Sequence, residues 1–491
     1  MDNRNAPIAL SKEEFRDNGY RLIDTLADLL EKIPSMPVTS GESPLQLQEL
    51  LGNASLPQDG IPVEQILKSA TELLIHHSLY NGHPRFFGYI TSSPAPLGAL
   101  ADLLAAVVNP NAGAQILSPI ATEIEKQTVR WLAEFVGLSP TYGGVLVSGG
   151  NMANFTGFLA GRTAKAPKKI KQEGINGIEN QLLVYCSKTT HTWIEKAMVL
   201  FGLGLQSLRW IEADEYNRIN TTLLANAIEK DIAAGMKPIM VIGTAGDVST
   251  GAVDDLNSIG TICKKYDCWF HIDGAYGIPA ATIPDLKEMF AGIEDADSLA
   301  LDPHKWLYSP LEAGCILVKD PNHLVETFSS HPVYYNFETS GEGKPQNFYE
   351  YGMQNSRGFR ALKVWMMLQQ VGRNGYIKMI SDDIRLSKLM FDLATKHPEL
   401  EGMSQNLSIT TLRYKPEGEE NASYLDALNE KLLNTLQSGG EVFLSNALVK
   451  NCYCLRACIV NFRTREEDIH KTIEIIAREG RKINTQLKNE K

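Results

Sequence analysis

Cys268-Trp269-Phe270-His271-Ile272-Asp273-Gly274-Ala275-Tyr276 is the stretch on which the fold of this 491-residue chain turns. Its first five residues form a near-continuous apolar run with no strict polar alternation, as in a strand covered on both faces. A carboxylate closes the run and a glycine follows. A second short apolar stretch leads into Asp302-Pro303-His304-Lys305-Trp306. Each run puts a chemically capable side chain at the carboxyl end of a strand, where open α/β sheets bind ligands.

Outward from this pair, residues 144–147, 182–186 and 239–242 are near-continuous apolar runs of the same kind, and 221–234 and 255–266 read as helices. Buried strands alternating with helices predict a large α/β domain with a mostly parallel sheet, placed at residues 81–380. Residues 314–319 are expected to add an antiparallel edge strand. Ser11 and Glu14 form a capping box for a helix that Pro34 and Pro37 stop, and 63–80 has the pattern of a second amphipathic helix. Residues 1–80 therefore read as a helical arm, too thin to fold alone. The remainder, 381–491, reads helix, strand, helix, strand, strand, helix, a small α+β domain whose clearest strands before the Cys454 run are 409–414 and 441–444. Residues 331–352 are polar, carry Gly341, Gly343 and Pro345, and read as a long functional loop.

Composition narrows the function classes. The chain is 43% hydrophobic and 21% charged, as in a water-soluble globular protein, and its net charge of −11 argues against nucleic acid as a partner. The longest apolar run, 97–108, contains Asp102 and is too short to span a bilayer, so no membrane partner is expected. Residues 1–12 are polar with charges of both signs, unlike a secretory signal, and seven scattered cysteines suit a reducing, cytoplasmic setting. Cys452, Cys454 and Cys458 lie in one strand-like run without a second ligand cluster, so no metal is expected there.

The chemistry gathers at strand ends. Ser148-Gly149-Gly150-Asn151-Met152-Ala153-Asn154 is a glycine turn from a strand into a helix, which offers backbone N–H groups and a helix dipole to a phosphate. His191 follows one strand, and Thr244 ends another. The histidine could stack on a flat aromatic cofactor or simply cap the following helix. Lys305 can form a Schiff base with an aldehyde and Asp273 can pair with a pyridinium nitrogen, so together the residues suit pyridoxal 5'-phosphate.

These motifs resemble the group II pyridoxal-phosphate-dependent amino-acid decarboxylases. The likeness is carried by His83-Pro84-Arg85-Phe86-Phe87, the Ser148 turn, His191-Thr192-Trp193-Ile194-Glu195-Lys196-Ala197, Gly243-Thr244, the Asp273 and Lys305 motifs, Ser356-Arg357-Gly358-Phe359-Arg360-Ala361-Leu362 and Leu455-Arg456-Ala457. It extends in order across nearly the whole chain. It implies the fold type I architecture of pyridoxal-phosphate transferases and a homodimer with active sites at its interface. By the same resemblance Lys305 is the cofactor lysine, Asp273 pairs with the ring nitrogen, His191 stacks on one ring face and Ala275 packs on the other. Gly150, Asn151 and His304 lie where the family holds the phosphate, Thr244 belongs to the cofactor site, and Ala245 stands where many relatives carry a second threonine. A proton for the product's Cα is implied to come from Tyr334, with Tyr335 as the alternative.

The implied reaction is release of CO2 from an L-amino acid to give the amine. Phe86, Phe87, Tyr89, Ile90 and Thr91 resemble the substrate-pocket stretch of the aromatic-amino-acid branch, with Phe86, Tyr89 and Thr91 the candidate substrate contacts. The stretch 83–87 is closer to the glutamate and cysteine-sulfinate branch, although no basic group is seen that must point into the pocket. Small polar residues at 109–113 replace bulky apolar ones of the aromatic-specific relatives. An acidic or other non-aromatic substrate therefore stays open. So does an aldehyde synthase, a class that typically carries phenylalanine in place of the loop tyrosine. A non-catalytic scaffold is the reading of a different kind, which intact Lys305, Asp273 and His191 oppose.

Overall fold

The computed structural model describes residues 6–330 and 345–489. Seven strands make the larger sheet: β1 (Gly143–Val147), β2 (Leu182–Ser187), β3 (Leu208–Ile211), β4 (Lys237–Thr244), β5 (Trp269–Asp273), β6 (Ser298–Leu301) and β7 (Gly314–Val318), in the order β1-β7-β6-β5-β4-β2-β3. From β3 through β6 neighbouring strands are parallel. Along β5, Trp269 enters the apolar core on one side of the sheet, while Phe270 and Ile272 enter the core on the other. This two-sided burial is why the run shows no polar alternation.

β7 is antiparallel, as expected, but it is not an edge strand: it lies between β6 and β1 and pairs antiparallel with both. The connection from β6 to β7 carries Lys305 and no helix, so it cannot make the crossover that a parallel return needs. β1 takes the edge outside it. At Gly314 an added Cβ would lie 2.5 Å from the Cα of Gly149, so the glycine turn rests directly on the start of β7.

The second sheet is wholly antiparallel, with strands β8 (Leu400–Asn406), β9 (Ile409–Tyr414), β10 (Ser445–Val449) and β11 (Cys452–Cys458) in the order β10-β11-β9-β8. Two expectations change here. Residues 441–444 do not form the strand; β10 begins at Ser445, and Phe443 makes only an isolated bridge to Phe86. β8 was not foreseen, because past Leu400 its residues are all half-buried and give no two-residue alternation. The helix Ala361–Lys396, bent at Gly372 (φ +64°), runs through position 380 and packs against both β8 and β9.

In the arm, Ser11 and Glu14 make the expected reciprocal cap on the helix Lys12–Lys32. The helix Val63–His77 also forms, and between them stands Pro44–Leu51, capped by Ser43 and Gln46, which the proline and glycine content of this stretch had hidden. None of these three helices has a buried residue.

A buried ion pair ties distant segments to β1. Glu125, on the helix Pro119–Phe135, accepts from Arg357 Nη1 at 3.1 Å and lies 2.5 Å from Arg357 Nη2. Leu146 N–H donates to Glu125 at 2.9 Å, and Arg357 donates to the carbonyls of Leu146 and Ala112 at 2.7 and 2.8 Å. Glu125→Ala would leave a guanidinium sealed without its carboxylate, an expected loss of about 3–5 kcal/mol in urea unfolding. A midpoint and slope equal to wild type would show that the pair does not hold this corner.

Candidate active site

Register sets the site. Thr244 is paired with Asp273, and Asp273 with Ala300, so the carboxyl ends of β4, β5 and β6 lie side by side. Past these ends opens a cavity of about 570 Å³ lined by Thr244, Asp273, Ala275, His304 and Lys305, together with Gly150, Asn151, His191, Tyr89 and Thr91. Of the residues singled out from sequence, Phe86 and Phe87 do not line it: Phe87 is buried in the core beneath the small sheet, and the buried Phe86 ring stacks on Phe443 at 5.4 Å, which in turn faces Tyr89. Tyr334 and Tyr335 lie outside the described residues.

The glycine turn forms an open cradle. Gly149 has φ +142°, in the region that favours glycine, and an added Cβ there would stand 3.2 Å from His304 Cε1. A Cβ on Gly150 would be 2.6 Å from Asp302 Oδ2 and 3.3 Å from the Ala275 Cβ. The helix Gly150–Lys165 starts here without a side-chain cap, so its leading N–H groups are available to an anion.

Asp273 is buried and held at both oxygens: Oδ2 accepts from Trp193 Nε1–H at 2.7 Å, and Oδ1 from Ala275 N–H at 3.2 Å. His191 Nδ1 accepts from Trp193 N–H at 3.2 Å, which leaves any proton of the neutral ring on Nε2. Partial desolvation lowers the His191 pKa; Asp273 opposes this and Lys305 reinforces it. Burial likewise lowers His304, against the pull of Asp302. Thr244 Oγ1 is buried without a partner among the described residues, while its N–H donates to Asp254 at 2.7 Å. Burial pushes Asp254 up to about 7.

Lys305 Nζ stands 3.1 Å from Asp302 Oδ2, and His304 Nε2 is 3.7 Å from the same oxygen. Asp302 is only 1% exposed and accepts no well-aligned hydrogen bond from the described residues. The lysine loop is anchored from behind. Trp306 stacks on Tyr276 at 4.9 Å and donates through Nε1–H to Asp383 at 2.8 Å, and the Tyr308 hydroxyl donates to the same oxygen.

Sequence reasoning missed one basic group. Arg456, on β11, is 2% exposed and lines the cavity, which corrects the expectation that no cation must face it. Its Nη1 donates to the Tyr89 carbonyl and to Ser445 Oγ, both at 3.0 Å, while Nε and Nη2 have no partner among the described residues. The available signal was a charged residue in the middle of an otherwise apolar strand, between Leu455 and Ala457.

The residues present fit pyridoxal phosphate. An uncapped helix N-terminus suits the phosphate, an amine suits the aldehyde, and a fixed carboxylate suits the ring nitrogen. The unpartnered Thr244 hydroxyl leaves a donor and acceptor for the cofactor's edge.

Comparison with known proteins agrees. Residues 44–415 match the family described as "Pyridoxal-dependent decarboxylase conserved domain". The chain is 34% identical over 464 residues to an aromatic-L-amino-acid decarboxylase of Bacillus atrophaeus, covering 94% of each chain. It is 30% identical to a phenylacetaldehyde synthase of Petunia hybrida, covering 92% of this chain and 91% of that one. Among solved structures, Catharanthus roseus tryptophan decarboxylase in complex with L-tryptophan superposes with a TM-score of 0.86 at 26% identity, over 96% of this chain and 99% of that one.

Gly150→Ala puts a methyl group against Asp302 and Ala275 inside the cradle. The variant is expected to fold, with a somewhat lowered melting temperature because Asp302 must shift, and to bind pyridoxal phosphate at least tenfold more weakly, as read by absorbance titration, the size of one charge-assisted hydrogen bond (roughly 1.5–3 kcal/mol) if the shifted cradle loses one to the phosphate.

Proposed function

The chain belongs to the pyridoxal-dependent decarboxylase family, and from that membership we propose that it acts on aromatic L-amino acids, releasing CO2 and the corresponding amine. It is a pyridoxal-phosphate-dependent amino-acid decarboxylase. The observation that carries the residue roles is the meeting of Lys305, Asp273, His191 and the Gly149–Gly150 cradle in one cavity at the sheet's carboxyl edge. Support for the aromatic substrate comes from the Bacillus relative and from Tyr89, Ile90, Val248 and Leu311, which give the cavity an apolar side.

Bound in this cavity, the cofactor supplies an electron sink for the bond between Cα and the carboxylate. Lys305 is the amine that holds its aldehyde carbon, and Asp302 receives the ammonium when that amine is free. Asp273 would accept from the ring nitrogen, His191 and Ala275 would pack against the ring, Gly150, Asn151 and His304 would hold the phosphate, and Thr244 would bond the cofactor's edge. Tyr334 is the proposed donor of the proton that replaces CO2 at Cα, on the strength of the family resemblance. Homodimerisation is part of the proposal, supported by the three N-terminal helices, none of which has a fully buried residue within its own chain. A cytoplasmic location is supported by seven free cysteines; among the described residues no helix is long and apolar enough to cross a membrane.

One observation favours a second reading, an acidic substrate: the unpartnered Nε and Nη2 of Arg456 would suit a side-chain carboxylate. They would equally suit the carboxylate common to all amino acids, which leaves the aromatic reading in place. Aromatic, acidic and branched L-amino acids, each incubated with enzyme and pyridoxal phosphate, distinguish the two by CO2 release. The expected result is turnover of the aromatic set with one amine per CO2; preferred turnover of acidic substrates would replace that reading. Aldehyde and hydrogen peroxide in place of amine would make the protein an aldehyde synthase. Arg456→Gln should lower kcat/KM roughly ten- to hundredfold on every active substrate if it holds the shared carboxylate, and only on acidic ones if it holds the side chain. Tyr334→Phe is expected to retain cofactor absorbance and lose most amine formation, and normal turnover would remove Tyr334 from the reaction.

A further inference from the structure

Trp193 touches both side chains assigned to the cofactor's ring. Its backbone N–H donates to His191 Nδ1 at 3.2 Å, and its indole N–H donates to Asp273 Oδ2 at 2.7 Å. The residue opens the helix Trp193–Leu200 and is fully buried, so no water can substitute for the indole donor. The ring has little freedom to turn away. His271 packs edge-on against it at 5.7 Å and Phe155 at 6.5 Å. His271 is itself fixed at both nitrogens, by Ser298 Oγ and Asn154 Oδ1, each at 2.8 Å.

The geometry points to Trp193 as the positioning residue that fixes the Asp273 carboxylate toward the cofactor's ring nitrogen. This rests on the assignment of Asp273 and His191 to that ring. A carboxylate beyond a strand end can rotate about two bonds, and a ring nitrogen needs an acceptor at one position. With Oδ1 held by Ala275 N–H and Oδ2 by the indole, both rotations are fixed, and each oxygen still has a lone pair for the ring N–H. Because the same residue holds His191 through its backbone, the ring-face group and the ring-nitrogen group are set in one frame. No other described side chain donates to Asp273 among the hydrogen bonds found.

Trp193→Phe deletes the indole donor while leaving the backbone N–H to His191 and most of the packing. The variant is expected to fold, to bind pyridoxal phosphate on Lys305 in full stoichiometry after borohydride trapping, and to lose kcat about tenfold, the size expected for one hydrogen bond to a charged group. KM should change less than about twofold, because substrate contacts are untouched. The distinguishing readout is the absorbance spectrum of the bound cofactor across pH. It should shift in Trp193→Phe and in Asp273→Asn, and the double variant should fall no further than Asp273→Asn alone. A wild-type spectrum and kcat in Trp193→Phe, or fully additive losses in the double variant, would overturn the inference and leave Trp193 as packing. If Asp273→Asn itself keeps wild-type cofactor affinity, spectrum and turnover, the assignment of Asp273 to the ring is what fails, whatever Trp193→Phe does.

Discussion

The edge of the larger sheet is closed by charge. β1 has a neighbour only on the β7 side, so the outward N–H and carbonyl of Leu146 would lack the partners a strand provides. Glu125 takes the N–H and Arg357 serves the carbonyl, so two side chains in an ion pair stand in for the missing strand. Everything the site needs from β1 depends on this substitution. Three residues beyond Leu146 comes Gly149, whose turn rests on Gly314 and presents the open helix end. Arg357 also stands over Phe348, its guanidinium 5.1 Å from the ring, and reaches the Ala112 carbonyl. The cradle, Phe348 and the 109–113 stretch therefore share one anchor.

Behind the reacting groups stand carboxylates that face protein rather than cavity. Asp254 accepts from Thr244 N–H and from Ile219 N–H, both at 2.7 Å, and so pins the end of β4 to a neighbouring turn. Asp383 collects Trp306 and Tyr308 from either side of the lysine loop's exit. Loss of solvation on burial raises both acids to about 7, against the pull of the donors that bond them. The long helix that carries Asp383 also packs on the small sheet, and Tyr276 reaches Ser408 there at 2.6 Å. The small sheet is thus braced against the lysine, and Arg456 enters the cavity from it.

How much of this was legible in the sequence follows from the range of the forces involved. β2, β4 and β5 could be read because burial on both faces writes itself into a continuous apolar run. The Asp273 and Lys305 motifs could be read because strand ends and turns are local. β8 and the start of β10 could not: the half-buried residues of β8 are decided by which sheet it joins, and Phe443, just before β10, looks like strand while packing on Phe86. The interior position of β7 was hidden for a similar reason, since pairing with β1 joins residues far apart in the chain. Arg456 was visible as an oddity in an apolar strand, yet only the fold shows which way it faces. Trp193 read as part of a family motif, and its indole bond spans 80 residues to Asp273.

The three uncovered helices of the N-terminal arm have a consequence for biogenesis. They precede the large sheet in the chain and are made before it, and within one chain none of their residues becomes fully buried. Phe15, Tyr20, Ile23 and Leu26 lie on the surface even in the finished fold. Throughout translation of the large sheet, whose parallel pairings join distant residues and form slowly, these apolar faces stay wet. Those faces are therefore open to a holding chaperone or to another nascent chain during that interval.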